Sequence, residues 1–486
     1  MTPSFGRPRG WKCGVLFVLA ALLVVAALVA IYGVIFFNRD VPETHENIDD
    51  HFKYGSIGAE ERAGVPYWIW LVLPEVFAEH LPDGVGEGYE RMGFIYESED
   101  RIRPIGTSLR EKPIPLVGLN CAACHTAVVR DSADASPRIV LATAGHQFDI
   151  QEYFNFLFDV ARDERFDADT LLPAIRKVNP DFSWLDSLLY RHVVIPRMKK
   201  ELLEREKELA LLADRPAFGP GRVDTFYAYK VEVGIREDVA DPVGTVDLPT
   251  IWNQRPRVGM FLHWDGNNDS VEERNLSATR GAGASESSID HDSLKRVADW
   301  LADLEPPRVP PEFVDSSRVA SGRVIYETRC ASCHSFGGDR VGKVAPIEEI
   351  GTDPNRWQSF TRELARELNE YGEGYPWRFT RFRKTAGYAN MPLDGIWLRA
   401  PYLHNGSVPT LRDLLKPPDE RPKVFYRGYD VYDYEDVGFV SSGEEAARVG
   451  FRYDTTIRGN SNGGHTYGTD LAGQQLEDLL EFLKTR

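Results

Sequence analysis

Two Cys-x-x-Cys-His runs, a proline-rich stretch between them and a long apolar run near the amino terminus predict the fold class. The first run is Cys121-Ala122-Ala123-Cys124-His125 and the second is Cys330-Ala331-Ser332-Cys333-His334. A C-x-x-C-H run is the attachment signature of a c-type haem: each thiol can form a thioether to one vinyl group, and the following histidine lies under the iron. The chain is therefore expected to be mainly α, with two cytochrome c-type haem domains and long loops, preceded by an amino-terminal transmembrane helix. Four of the 5 cysteines and two of the 11 histidines are used in the two runs. A thioredoxin-like redox pair or half of a zinc site fits less well, because each run ends in His and neither has a second C-x-x-C nearby.

A length of 486 residues suits two or three domains, and a hydrophobic fraction of 42% suits a globular body with a real core. The formal net charge is −17. Residues 1–37 carry Arg7, Arg9 and Lys12 and no acid, so the remainder is more acidic still. That balance argues against a nucleic-acid partner. It suits a basic redox partner, and it equally suits plain solubility.

Residues 15–37 form an unbroken apolar run of 23. The run is long enough to span a bilayer and exceeds the usual core of a cleaved signal. With residues 1–13 as a basic cytoplasmic tail, residues 14–37 are expected to be an uncleaved transmembrane signal anchor. The expected location is then the bacterial inner membrane, single-pass, with the haem domains in the periplasm. A long signal cut near residues 26–30 is the alternative. Cys13 precedes the run and is expected as a free thiol near the inner membrane face.

Residues 38–53 read as a polar spacer in which His45 and His51 are exposed. An amino-terminal haem domain is placed at 54–304. Dense aromatics among glycines and prolines, as in Pro66-Tyr67-Trp68-Ile69-Trp70-Leu71, suggest irregular structure wrapped on a large apolar group. No amphipathic helix precedes Cys121, so a standard single-haem cytochrome fold is excluded here. A short strand around 138–143 follows, and Gly145-His146 opens a helix over 150–162. His146 is close enough in the chain to meet the first haem on its distal side, or to serve as a helix-start histidine bonded to backbone. Farther on, Trp252 and the run Phe261-Leu-His263-Trp264-Asp265-Gly266-Asn-Asn268 are unusually rich in oxidisable and hydrogen-bonding groups. Tryptophan can relay electrons between haems and His263 can face a distal pocket; the plainer reading has both indoles packed on porphyrin.

Four prolines stiffen a linker at 305–313. A carboxy-terminal cytochrome c domain then spans 314–486. Its first helix, over 318–329, carries Val319, Gly322 and Tyr326 on one face, and its last, over 471–484, carries Leu476, Leu479, Leu480 and Leu483. In a cytochrome c fold these two helices cross at a small residue, and Gly322 meets that need. Met391, His404 and His465 compete for the sixth position on the second iron. His465 lies in a glycine-rich loop before the closing helix and is narrowly preferred to Met391.

The run Ala400-Pro-Tyr-Leu-His-Asn-Gly-Ser-Val-Pro-Thr-Leu411, joined to the two haem motifs, resembles the bacterial dihaem cytochrome c peroxidase superfamily. Within it the chain looks most like the rubber oxygenase (RoxA-like) group. Val117-Gly-Leu-Asn-Cys-Ala-Ala-Cys-His125, Ile251-Trp-Asn-Gln-Arg-Pro, Leu262-His-Trp-Asp-Gly-Asn-Asn268, Gly395-Ile-Trp and Asn462-Gly-Gly-His-Thr-Tyr-Gly468 carry that likeness, which covers most of the chain after Lys53. The resemblance implies a reactive amino-terminal haem with His125 as proximal ligand. It implies a six-coordinate relay haem with His334 as proximal ligand. In the peroxidases the relay's sixth ligand is a Met shortly after the equivalent of residues 402–406, and no Met follows Met391 here. The rubber oxygenase-like group uses a second His, which implies His465 and leaves His404 near the haem edge. Trp252 is the implied residue between the haems, and His146 is the nearest candidate for the peroxidases' distal His. Calcium between the domains is implied by the peroxidase likeness alone.

The expected function is that of a dihaem c-type oxidoreductase. Peroxide or dioxygen would react at the open haem of His125, with electrons drawn from a small redox protein or an organic substrate. A non-catalytic periplasmic electron carrier with two six-coordinate haems is the alternative, and it follows if His146 ligates the first iron. A maturation factor that oxidises a partner protein is a third reading.

Overall fold

The computed structural model describes residues 17–22, 24, 39–98 and 100–486. It corrects the expected fold class in two respects. First, among the described residues no helix is long and apolar enough to cross a membrane. The transmembrane helix expected over 14–37, and the single-pass inner-membrane location built on it, are therefore not supported. Hydropathy shows only that a run is apolar, whereas a span needs a continuous helix of about 20 residues. Most of that run, and Cys13 with it, lies outside the described residues. Second, the body is less helical than expected. Short helices alternate with long irregular stretches and six small sheets. With 41 glycines and 31 prolines the chain cannot sustain long helices. Brief antiparallel pairings satisfy loop backbone instead.

The largest sheet has four strands in the order Val41–Pro42, Thr107–Glu111, Leu116–Leu119, Val65–Pro66. It leads straight into the first Cys-x-x-Cys-His run. The stretch read as a spacer is folded against it. Asn47 caps the helix Ile48–Tyr54 by accepting from Asp49 N and Asp50 N. His51 is buried and its Nε2 meets Ser293 Oγ at 2.9 Å, so it is not the exposed residue expected from its polar neighbours.

Among the described residues, three hydrophobic cores are the largest. The first gathers Ile69, Trp70, Tyr89, Phe156 and Leu171 from the amino-terminal half, with Trp70 and Tyr89 stacked at 4.3 Å. The second joins Val129, Val140 and Trp252 to Tyr326, Trp397 and Leu479. The third joins Ile57 and Phe226 to Phe360 and Phe379. Two of the three thus draw on both sides of the 305–313 linker. The ion pairs Arg130–Asp430 and Asp247–Arg427 cross it as well.

The predicted helix crossing is present. Helices Ser316–Arg329 and Gln474–Lys484 pack at Gly322, where a Cβ atom would stand 1.8 Å from the carbonyl oxygen of Asp478. Only glycine allows that approach.

Candidate functional site

The first motif forms one helical turn, Cys121–Cys124, capped by Asn120, whose side chain accepts from Ala122 N. The Asn120 amide also donates to Gly55 O at 3.0 Å, tying the turn to the helix before it. The turn places both thiols on one side, three residues apart. His125 follows as its cap, and its Nδ1–H donates to Pro249 O at 2.8 Å. That bond leaves Nε2 as the lone-pair nitrogen, the state a metal ligand needs. Burial pushes the imidazole down to about 4, so it stays neutral. The thiols are free, with burial pushing Cys121 up to about 11 and Cys124 up to about 12. A reactive thioredoxin-like pair has its thiol lowered, so these sulfurs do not resemble one.

The second motif repeats the arrangement. Helix Ser316–Arg329 delivers Cys330, and the His334 Nδ1–H donates to Met391 O at 2.7 Å. On the other face stands His465. The two ring centres are 6.2 Å apart at 45°. Metal–imidazole bonds of about 2 Å on each side, with about 1 Å from nitrogen to ring centre, sum to about 6 Å. The gap therefore fits one iron between two imidazoles. His465 adopts a φ of 45° and follows Gly464 at 72°. Its loop is pinned by Arg421, which donates to the carbonyls of Asn462, Gly464 and His465 at 2.6, 2.8 and 3.0 Å. The buried His465 Nδ1 has no hydrogen-bond partner among the described residues. Met391 offers its carbonyl to His334 and so sits behind that ring. His404 is buried and stacked on Tyr388 at 4.1 Å, away from the His334–His465 pair.

A small cavity lies against the residues that orient both motif histidines. Its lining includes Pro249 and Met391, the residues whose carbonyls orient His125 and His334, together with His263, Trp264, Arg257, Arg274 and Arg399. Trp264 is held by an Nε1–H bond to Asp247 O at 2.8 Å. His263 has a φ of 62° and pairs through Nδ1 with Asn267 Oδ1 at 2.6 Å. Asn267 in turn donates to both oxygens of Asp265 at 3.1 Å. The amide orientation this implies makes His263 Nδ1 the donor and leaves Nε2 as acceptor.

Two sequence candidates lie elsewhere. Trp252 is buried under Gly395, with its Nε1–H on Asp394 O at 3.2 Å, and it does not line the cavity. His146 bonds Tyr429 O at 3.0 Å and stacks on Phe439 at 3.7 Å, joining two parts of the body. The arginines are the residues that sequence reasoning missed. Arg257 and Arg399 share the single carboxylate of Asp394 at 2.6 and 2.9 Å. Arg274 has no carboxylate within 4.0 Å among the described residues, although burial and Arg257 push its guanidinium down to about 10. Arg274 is partly buried and donates to Asn275 Oδ1 at 3.0 Å, so it is hydrogen-bonded but has no counter-ion among the described residues. The two carboxylate arms of a haem are groups of the right charge to answer it. The Cys-x-x-Cys-His turns, the facing imidazoles of His334 and His465 and the surplus cations together fit haem c. The one described cluster with metal-ligand spacing, Glu79–His80–Asp163, lies at the surface and is already engaged by Arg165.

Residues 387–426 match the family described as RoxA-like, cytochrome c-like. That segment holds Met391, Arg399, His404 and Arg421. It supports the RoxA-like part of the resemblance and implies haem c as cofactor and a cytochrome c-type oxidoreductase as the coarse function. Two curated relatives are similar over longer stretches. The uncharacterized protein y4iM of Sinorhizobium fredii (strain NBRC 101917 / NGR234) is 32% identical over 291 residues, which is 50% of this chain and 66% of that one. The uncharacterized protein y4iJ of the same strain is 26% identical over 483 residues, 77% of each chain.

Proposed function

We propose that the protein is a dihaem c-type oxidoreductase that uses peroxide or dioxygen at the haem of His125 and stores or passes electrons at the haem of His334 and His465. The asymmetry of the two motifs carries this reading. His334 faces a second imidazole at 6.2 Å, while His125 has no such counterpart among the described residues. Haem c, held by Cys121 and Cys124, would supply the binding and reduction of the oxidant.

The chain's own residues define what happens around it. Pro249 O fixes the tautomer and angle of His125. Arg257, Arg274 and Arg399 offset the charge of the haem carboxylates. His263 presents Nε2 to the cavity as a hydrogen-bond acceptor, oriented by Asn267 and Asp265. Trp264 stands in the lining shared by both haem-orienting residues and would take the relay role that the resemblance implied for Trp252. Electrons enter from a small redox protein or an organic substrate.

The full-length holoprotein is tested by mixing with peroxide in the ferric state and with dioxygen after reduction. The proposal expects a rapid change in one haem's absorbance with either oxidant. A protein whose two haems are indifferent to both is a non-catalytic electron carrier. The free Nε2 of His263 in the cavity is the feature that favours this second reading.

A further inference from the structure

One strongly charged cavity plays no part in the account above. Helix Arg362–Glu370 turns Leu364, Ala365 and Leu368 inward. Its residues 362, 365, 366, 369 and 370, at the i, i+3, i+4, i+7, i+8 positions, line one wall of an open surface cavity of about 480 Å³. The segment 378–384 forms the other wall through Arg378, Phe382, Arg383 and Lys384. Five cationic side chains and one carboxylate, Glu370, therefore face the same space. On a body with a formal charge of −17 this concentration is out of keeping with a merely solvated face.

The neighbouring acids only partly neutralise it. Arg366 meets Glu367 at 3.1 Å and Glu363 at 4.0 Å, and Arg378 meets Glu373 at 4.0 Å. Arg383 is paired with Asp269. Lys384 lies over the Trp357 ring at 4.1 Å and donates to Trp357 O. Arg362 has no carboxylate within 4.0 Å among the described residues. Ala365 and Phe382, each 5% exposed, close the floor between the cations. Behind that floor the Phe382 ring packs on His263 at 6.3 Å, and Arg383 N donates to Asn267 O at 2.8 Å. The cavity thus sits one aromatic ring outside the interior site.

We infer that this cavity binds a small organic anion with two or more carboxylates. Guanidinium groups match carboxylates in planar, paired geometry. The net charge of the body repels an acidic protein at long range, which favours a small ligand. This inference is independent of the proposed oxidoreductase chemistry.

The test is calorimetric titration of the full-length holoprotein with benzene-1,3,5-tricarboxylate. Saturable one-to-one binding is expected. It should weaken at least tenfold in the double variant Arg362→Gln, Arg378→Gln, largely recover in Arg362→Lys, Arg378→Lys, and stay unchanged in Arg323→Glu on a distant helix. Both arginines of the main variant are exposed, and unchanged haem spectra and melting curves would show that the variants fold. Absence of saturable binding to the wild type, or binding that the double variant leaves intact, overturns the inference.

Discussion

Gly322→Ala is the sharpest test of how the second motif is delivered. A Cβ at this position would stand 1.8 Å from Asp478 O, 2.6 Å from its carbonyl carbon and 2.7 Å from Phe482 Cβ. The first two atoms are backbone, so no rotamer change relieves the clash. Helices Ser316–Arg329 and Gln474–Lys484 must part, opening a seam that buries Tyr326, Leu479 and Leu480 to within 1% of full burial. Overpacking of this kind costs about 1–3 kcal/mol, and a backbone clash belongs at about 3 kcal/mol. In a unit of this size that is a fall of about 6–12 °C in the melting midpoint. Thermal unfolding followed by far-ultraviolet circular dichroism measures it, with Ser317→Ala on the exposed side as control. A midpoint within about 2 °C of wild type would refute the claim that the two helices are held at their closest approach here.

Other expectations follow from the same geometry. If both motifs hold haem through thioethers, the denatured full-length protein should be alkylated at Cys13 alone among its 5 cysteines and carry the mass of two haems; labelling at Cys121 or Cys330 contradicts this. Arg274→Gln removes a cation of the cavity lining that would stand beside the haem of His125. The ferrous state is favoured by that cation, so the variant's reduction potential should fall by about 40–80 mV, the equivalent of about 1–2 kcal/mol for one electron. An unchanged potential in redox titration would place Arg274 away from the haem. Trp264→Phe should slow electron transfer between the haems at least tenfold in flash or stopped-flow experiments. Trp252→Phe should instead cost about 1–3 kcal/mol of stability with the transfer rate unchanged; the reverse pattern would restore Trp252 to the relay role.

Legibility in the sequence followed the range of each interaction. The Cys-x-x-Cys-His runs are local signatures, and Gly322 announced itself as a small residue on an apolar helix face. His465 was marked by its glycine-rich loop, since a φ of 45° next to Gly464 needs such neighbours. Choosing between Trp252 and Trp264 was beyond sequence reasoning. They lie twelve residues apart in equally aromatic segments, and only the fold shows that Gly395 seals one while the cavity exposes the other. His146 was open to two readings, and it takes the backbone-bonded one; its partners, Tyr429 and Phe439, lie far along the chain, so the sequence could not choose. Arg274 sits on a helix, Val271–Gly281, whose charged first turn reads as solvent-facing. The apolar run at 15–37 showed hydropathy without showing a spanning helix, and His51 was taken as exposed because burial by Ser293 is a contact across most of the amino-terminal half.

The pairing of His334 with His465 is the centre of the functional reading, and one spectrum tests it directly. Electron paramagnetic resonance of the ferric full-length protein should show one low-spin haem with two imidazole ligands and one high-spin haem. In His465→Ala the low-spin signal should be lost and the high-spin signal of the first haem retained. A low-spin signal that survives unaltered in His465→Ala would mean that another residue closes the second iron, and the assignment of an open first haem and a closed relay haem would no longer stand.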